Sequence, residues 1–164
     1  MVEKKVSIPK LEGYSCFACG TANPIGLNLT FYRQGHYICS DITLGKNHEG
    51  WENMAHGGIA STLLDEIMSW AMIYFKRTFF VTRQMSIKYL KPVPLHTSLT
   101  AKGMVEEEKR RLCTAKGFIQ DKDHKVLARA KATFALLSDK DLRLVPDKLK
   151  ADMNKLFEVF KAME

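Results

Sequence analysis

The stretch His56-Gly-Gly-Ile-Ala-Ser-Thr-Leu-Leu-Asp65-Glu66-Ile-Met-Ser-Trp-Ala-Met-Ile-Tyr-Phe-Lys76 organises the chain. From Ile59 to about Lys76, the apolar residues Ile59, Ala60, Leu63, Leu64, Ile67, Met68, Ala71, Met72 and Phe75 recur at helical spacing. They fill more than one stripe, so the helix they predict is covered on most sides. Lys76 and Arg77 stand in its last turn, where the helix dipole favours cations. A pair of glycines opens the pattern and a pair of carboxylates, Asp65 and Glu66, interrupts it.

Outward from this helix the period changes from 3.6 to 2. Leu27–Tyr32 and His36–Leu44 alternate as half-buried strands do, and Arg33-Gln-Gly-His reads as the turn between them. Lys46 to Ala55 is loop. After the helix come four strand-like segments, roughly 79–91, 97–106, 111–120 and 126–137. Pro92-Val-Pro, Glu-Glu-Lys-Arg and Asp121-Lys-Asp-His connect them, and links this short imply an antiparallel meander. An amphipathic helix over about 146–163 closes the chain. Its face of Leu149, Met153, Leu156 or Phe157, Phe160 and Met163 is suited to docking on the sheet or on a partner. The division is therefore an irregular segment 1–26, a main domain 27–140 and a helical extension 141–164. One long apolar helix against one curved antiparallel sheet makes an α+β architecture.

Composition excludes several classes. With 164 residues, 46% hydrophobic and 26% charged, the chain is ordinary globular material of one domain. The net charge of +7 admits nucleic acid, anionic lipid or a phosphorylated small ligand without choosing among them. No run reaches the roughly 18 apolar residues of a membrane span. The N-terminus shows no apolar secretory core. Cys16, Cys19, Cys39 and Cys113 are too few for a disulfide framework, so a reduced, cytoplasmic setting is expected. Cys16 and Cys19 form a lone Cys-x-x-Cys. A zinc site usually needs four ligands, which only His36 or His48 is a candidate to complete, so a turn-forming role and no metal are expected.

The first turn of a helix leaves N–H groups unpaired and carries partial positive charge. At His56-Gly57-Gly58 the missing side chains allow a ligand close to that backbone, where an oxyanion would be stabilised. A tight turn without a ligand is the plainer reading of these three residues alone. Asp65 lies among residues expected to be buried, and a buried carboxylate is a candidate base or nucleophile. A locally solvent-facing position explains it equally well, and Glu66 more readily still. Nine helical residues separate His56 from Asp65, a rise of roughly 13.5 Å and roughly 900° of turn, which leaves the two facing opposite ways. One chain cannot readily join them; two chains about a two-fold axis can.

The stretch His48-Glu-Gly-Trp-Glu-Asn-Met-Ala-His56-Gly57-Gly58 through Asp65-Glu66 resembles the signature of hotdog-fold acyl-CoA thioesterases, phenylacetate-degradation subgroup. Val81-Thr82 through Pro92 resembles that family's next strand. Cys16-Phe-Ala-Cys19-Gly20 with Asn23-Pro24-Ile-Gly26-Leu27 is similar to the N-terminal segment of a subset. The resemblance spans about residues 16–138. It implies a hotdog fold, a long helix wrapped by a curved sheet. It further implies a homodimer, or a dimer of dimers, that hydrolyses acyl-CoA without a cofactor, a nucleic-acid partner or a membrane.

By the same resemblance, Asp65 is the base or nucleophile and the Gly57 N–H polarises the thioester carbonyl. His56 orients the thioester or the loop, and the Thr82 hydroxyl assists water. Asp65 of one subunit meets His-Gly-Gly of the other. Gly58 and Glu66, beside these positions, are candidates for substrate binding. Some relatives carry Asn where this chain has Gly50, leaving Asn53 or His48 to substitute. For the coenzyme's phosphates the basic turn Lys109-Arg110-Arg111 is a candidate, with Arg83, Lys88 and Lys91 competing. Strand alternation alone puts Lys88 on the face of Thr82 and Gln84, with Arg83 on the other. Trp51, Trp70, Met54, Met68, Met72 and Met85 are candidates for an acyl pocket or for plain core. A non-catalytic acyl-CoA sensor and a hotdog dehydratase are the alternative activities.

Overall fold

The computed structural model describes residues 3–164. Its strands are β1 (Val6–Ile8), β2 (Phe31–Gln34), β3 (Tyr37–Thr43), β4 (Phe80–Tyr89), β5 (Ser98–Lys109), β6 (Leu112–Asp121) and β7 (Val126–Leu136). Its helices are α1 (Gly57–Lys76), α2 (Asp139–Leu142) and α3 (Asp147–Ala162). All seven strands form one antiparallel sheet in the order β1-β2-β3-β5-β6-β7-β4, curved around α1. This is the hotdog arrangement.

Two expectations are corrected at the N-terminal side. The first segment is not wholly irregular, because β1 pairs with β2, Val6 facing Arg33 and Ile8 facing Phe31. Lys5 holds it down from its end, with Nζ 3.0 Å from Asp41 Oδ2. The next strand begins at Phe31 rather than Leu27. Asn28 takes a left-handed φ of 46°, and the Leu29 N–H is drawn to the Ala18 carbonyl instead of a neighbouring strand. The turn tightens to Gly35-His36, with Gly35 at φ 60°.

The meander is only half right. β5, β6 and β7 are consecutive neighbours, but β4 pairs with β7 at the far edge while β5 pairs with β3. Residues 90–97 carry the chain from one side to the other. Pro92 and Pro94 have no N–H to give a hairpin ladder. The segment instead bonds Leu95 N–H to Asn53 O (3.2 Å) and His96 N–H to Leu44 O (2.7 Å).

Leu63, Leu64, Ile67, Met68, Ala71 and Met72 of α1 are fully buried, as the apolar circumference requires. Met68 and Met72 therefore belong to the core, and Trp70 is buried against Phe31 with ring centroids 4.1 Å apart. The helix rests directly on the sheet at paired glycines of β5 and β6. A Cβ on Gly103 would lie 2.4 Å from the Ile67 carbonyl oxygen, and one on Gly117 would lie 2.9 Å from Met68 Cγ. Gly103→Ala must push a helix backbone off the sheet, and overpacking of this kind costs about 3 kcal/mol. Thermal unfolding should show a midpoint lowered by roughly 6–12 °C. A midpoint within error of wild type would contradict the close approach.

The chain ends as a docked extension. Ser138 caps α2, accepting from the Asp141 N–H at 3.1 Å. α3 buries Leu156, Phe157 and Phe160, with Phe160 on Tyr74 and Phe157 on Phe79 at centroid distances of 4.9 and 5.7 Å. Its apolar face thus covers the C-terminal end of α1. Among the described residues, no helix is long and apolar enough to cross a membrane.

Candidate active site

The helix start is built to leave one donor free. His56 has extended backbone, φ −59° and ψ 137°, and caps α1. Its Nδ1 accepts from the Gly58 N–H at 2.9 Å, and its carbonyl accepts from Ile59 and Ala60 at 2.9 and 3.2 Å. The Gly57 N–H has no partner among the described residues. It opens on a cavity of about 440 Å³ lined by Gly50, Trp51, Met54, His56, Tyr89 and Pro92, among others. Tyr89 and Ser61 were not legible as site residues. The Ser61 hydroxyl donates to the Gly57 carbonyl at 2.9 Å and lies 2.7 Å from Tyr89 Oη. They hold the first turn through the Gly57 carbonyl and leave its N–H free.

Gly50 has a packing reason. A Cβ there would meet His56 Cα at 2.9 Å, so no side chain fits unless the cap moves. The residues suggested as substitutes lie elsewhere. His48 Nδ1 accepts from the Gly45 N–H at 3.0 Å, and its carbonyl holds the His56 N–H at 2.8 Å. Asn53 serves the loop, its N–H bonding Glu49 Oε1 at 2.8 Å with φ 61°. Neither lines the cavity.

Asp65 is half-buried on the flank of α1 beside β4, and its Oδ1 accepts from the Thr82 hydroxyl at 3.0 Å. A β-bulge makes this contact. The β4–β7 register steps from Thr82–Phe134 to Gln84–Thr133, leaving Arg83 without an opposite number. Cross-strand partners share a face. Thr82 goes with buried Phe134, toward the helix, whereas Gln84 and Lys88 go with Thr133 and Arg129, away from it. The plain alternation that set Lys88 beside Thr82 is thereby corrected: one extra residue reverses the parity.

The two halves do not meet within one chain. Gly57 neighbours Tyr89 at one end of β4, with Tyr89 Oη 3.2 Å from the Gly57 carbonyl, and Asp65 neighbours Thr82 near the other. β4 itself is an edge strand whose Val81 and Tyr89 are 52% and 55% exposed.

The basic candidates are also dispersed. The Lys109–Arg111 turn lies at the C-terminal end of α1, where Arg111 bonds the Leu136 carbonyl at 3.1 Å. Lys88 faces an outer groove with Lys116, Arg129 and Lys131. Lys91 rims the Gly57 cavity, and the neighbouring Lys125 lowers its pKa.

Glu66 does not join Asp65. It turns toward Cys16 and Cys19, with Trp70 Nε1 donating to its Oε1 at 3.0 Å. Burial pushes the Glu66 carboxyl up to about 7. The Cys19 thiol and turn N–H groups bring Cys16 down to about 5.

The thioesterase superfamily model matches residues 52–128, from the loop before His56 into β7. That segment is similar to the thioesterase superfamily. A solved thioesterase-superfamily protein superposes with a TM-score of 0.66 at 24% identity over 69% of this chain; the chain spans only 56% of that protein. A hypothetical thioesterase from Streptococcus pneumoniae, solved with coenzyme A, gives 0.58 at 26% identity, covering 63% of this chain and 80% of the other. The PaaI protein of the E. coli phenylacetic acid degradation operon gives 0.63 at 17%, covering 68% and 81%. No curated protein sequence matches. The matched thioesterase segment contains Gly57, Asp65 and Thr82, while Cys16, Cys19 and α3 lie outside it.

Proposed function

We propose that the protein hydrolyses acyl-CoA thioesters at two sites, each shared between the subunits of a homodimer. The observation that carries this is the pairing of a free helix-start N–H at Gly57 with a carboxylate, Asp65, oriented by Thr82. Both lie along the uncovered edge strand β4 but near its opposite ends. A second copy paired antiparallel along β4 brings each Asp65 to the other chain's Gly57. The exposed apolar side chains of that edge favour such cover.

In this reading the Gly57 N–H binds the thioester oxygen and Asp65 takes a proton from water as the water adds to the carbonyl carbon. The oxyanion formed is held by the unpaired donor and the helix dipole. Collapse breaks the C–S bond, and the proton passes from Asp65 to the leaving thiolate. Among the described residues, Lys91 is the one lysine or arginine lining the cavity and is the cation assigned to the coenzyme's phosphates. Four free thiols fit a reducing, cytoplasmic setting.

The test is thiol release from a panel running from acetyl- to long-chain acyl-CoA and including phenylacetyl- and benzoyl-CoA. Turnover is expected on at least one member. Saturable acyl-CoA binding without release would turn the reading to a binding protein. Turnover of a hydroxyacyl-CoA to the enoyl product would make it a dehydratase.

Thr82→Val keeps the β-branched shape and removes the bond to Asp65. A hydrogen bond to a charged group is worth about 1.5–3 kcal/mol, so kcat should fall roughly tenfold to hundredfold with KM little changed. An unchanged kcat would release Thr82 from the mechanism.

A further inference from the structure

Between Ile8 and Phe31 the chain runs for 22 residues without a strand or helix. A loop of that length inside a compact domain calls for a function or a staple. Its centre is a knuckle, Cys16-Phe-Ala-Cys19-Gly20, closed by the Gly20 N–H on the Cys16 carbonyl at 2.9 Å. A Cβ on Gly20 would lie 2.4 Å from Cys16 N and Tyr14 O, so the closure requires glycine. Lys10 fastens the knuckle to the domain, Nζ bonding the carbonyls of Cys19 and Leu29 at 2.8 Å each.

The knuckle faces Glu66 on α1. Cys16 Sγ, Cys19 Sγ and a Glu66 carboxylate oxygen all lie within 4.8 Å of one another. Trp70 fixes the carboxylate through its indole N–H, and its ring is itself stacked on Phe31. Tetrahedral zinc takes sulfur at about 2.3 Å and carboxylate oxygen at about 2.0–2.2 Å, which needs donors separated by roughly 3.4–3.8 Å. The three donors are close enough to reach that geometry by side-chain adjustment. Beside them lies a largely apolar cavity of about 400 Å³, lined by Ser69, Ile73, Phe79 and Met153 among others. It has room for a water or small ligand at a fourth position.

We propose that Cys16, Cys19 and Glu66 form a zinc site that staples the N-terminal segment to α1. The donor set is two thiolates and a carboxylate, soft enough to select zinc over magnesium or calcium. The Lys10 ammonium, bonded to the Cys19 carbonyl, offsets part of the excess negative charge. The site is independent of the thioesterase reading, and its test does not use turnover.

The full chain, reduced and stripped of metal, is titrated with Co²⁺. One equivalent should produce a thiolate-to-cobalt charge-transfer band with the visible bands of a tetrahedral site, and Zn²⁺ should displace it. Cys16→Ser and Cys19→Ser should each weaken the charge-transfer band and binding, while Cys113→Ser, in β6, should leave both unchanged. Glu66→Gln should keep the thiolate band and bind at least tenfold more weakly. Should the cysteine variants fail to fold, Zn²⁺ protection of Cys16 and Cys19 from alkylation in the wild-type chain reads the same contact. A wild-type chain with neither charge-transfer band nor protection overturns the site. Undiminished affinity in Glu66→Gln overturns the three-donor set. A Cys16–Cys19 disulfide in air, with no Co²⁺ binding after reduction, makes the pair a redox device instead.

Discussion

Asp65→Asn is expected to fold as the wild type does and to lose about 10²–10⁴-fold in kcat for thiol release, the range for removing a general base. The substitution keeps the shape of the side chain and one oxygen to accept from Thr82, which is 3.0 Å from Asp65 Oδ1. It removes only the negative charge and the capacity to take a proton. Asp65 is half-buried, so the amide adds no fully buried polar group that the carboxylate did not already place there. Binding of a non-hydrolysable acyl-CoA analogue should therefore be nearly unchanged. Wild-type kcat on the best substrate would reject Asp65 as the base. A parallel loss of melting temperature and activity would reassign it to structure.

Gly57→Pro should cost about 10²–10³-fold in kcat, the measured scale for deleting one oxyanion donor. Proline is accepted at the first position of a helix, where its missing N–H has no intrahelical partner. It also asks its predecessor for extended backbone, and His56 already has φ −59° and ψ 137°. The change therefore deletes the donor and keeps the helix. Gly57→Ala is the matched control, since its Cβ would meet only the Tyr89 ring at 3.8 Å and its N–H survives. Equal losses in the two variants would mean that crowding, not the donor, matters. Mixing subunits tests the shared site directly. Inactive Asp65→Asn and Gly57→Pro chains, unfolded and refolded together in equal amounts, should recover roughly a quarter of wild-type activity. Half the dimers are then mixed, and each mixed dimer has one intact site of two. No recovery would confine each site to one chain.

Much of the frame was legible because it is written in local periods. The helix from Ile59 to Lys76 and the strands after it follow from spacing, and the structure moves their ends by only a few residues. The helix start at His56-Gly57-Gly58 was legible too, since glycines and an unpaired first turn go together, but the cap by the His56 side chain was not. The hidden parts depend on residues distant in sequence. Gly50 reads as a missing asparagine until the His56 backbone is seen 2.9 Å from where a Cβ would go. Tyr89 carries no mark of being a site residue until β4 sets it beside Gly57.

The sequence by itself determined a long helix buried on most sides, a run of alternating strands and a carboxylate half a turn out of phase with its helix cap. Each is a property of a few consecutive residues, and side-chain periodicity records it. Only the tertiary structure decided that β4 lies at the far edge, that a bulge turns Thr82 toward Asp65, and that Glu66 leaves Asp65 to face a cysteine pair. Those outcomes are set by which surfaces cover α1 and by one added residue that reverses a strand's parity. Pairing across distant segments depends on the shape of the whole core, which no local pattern encodes.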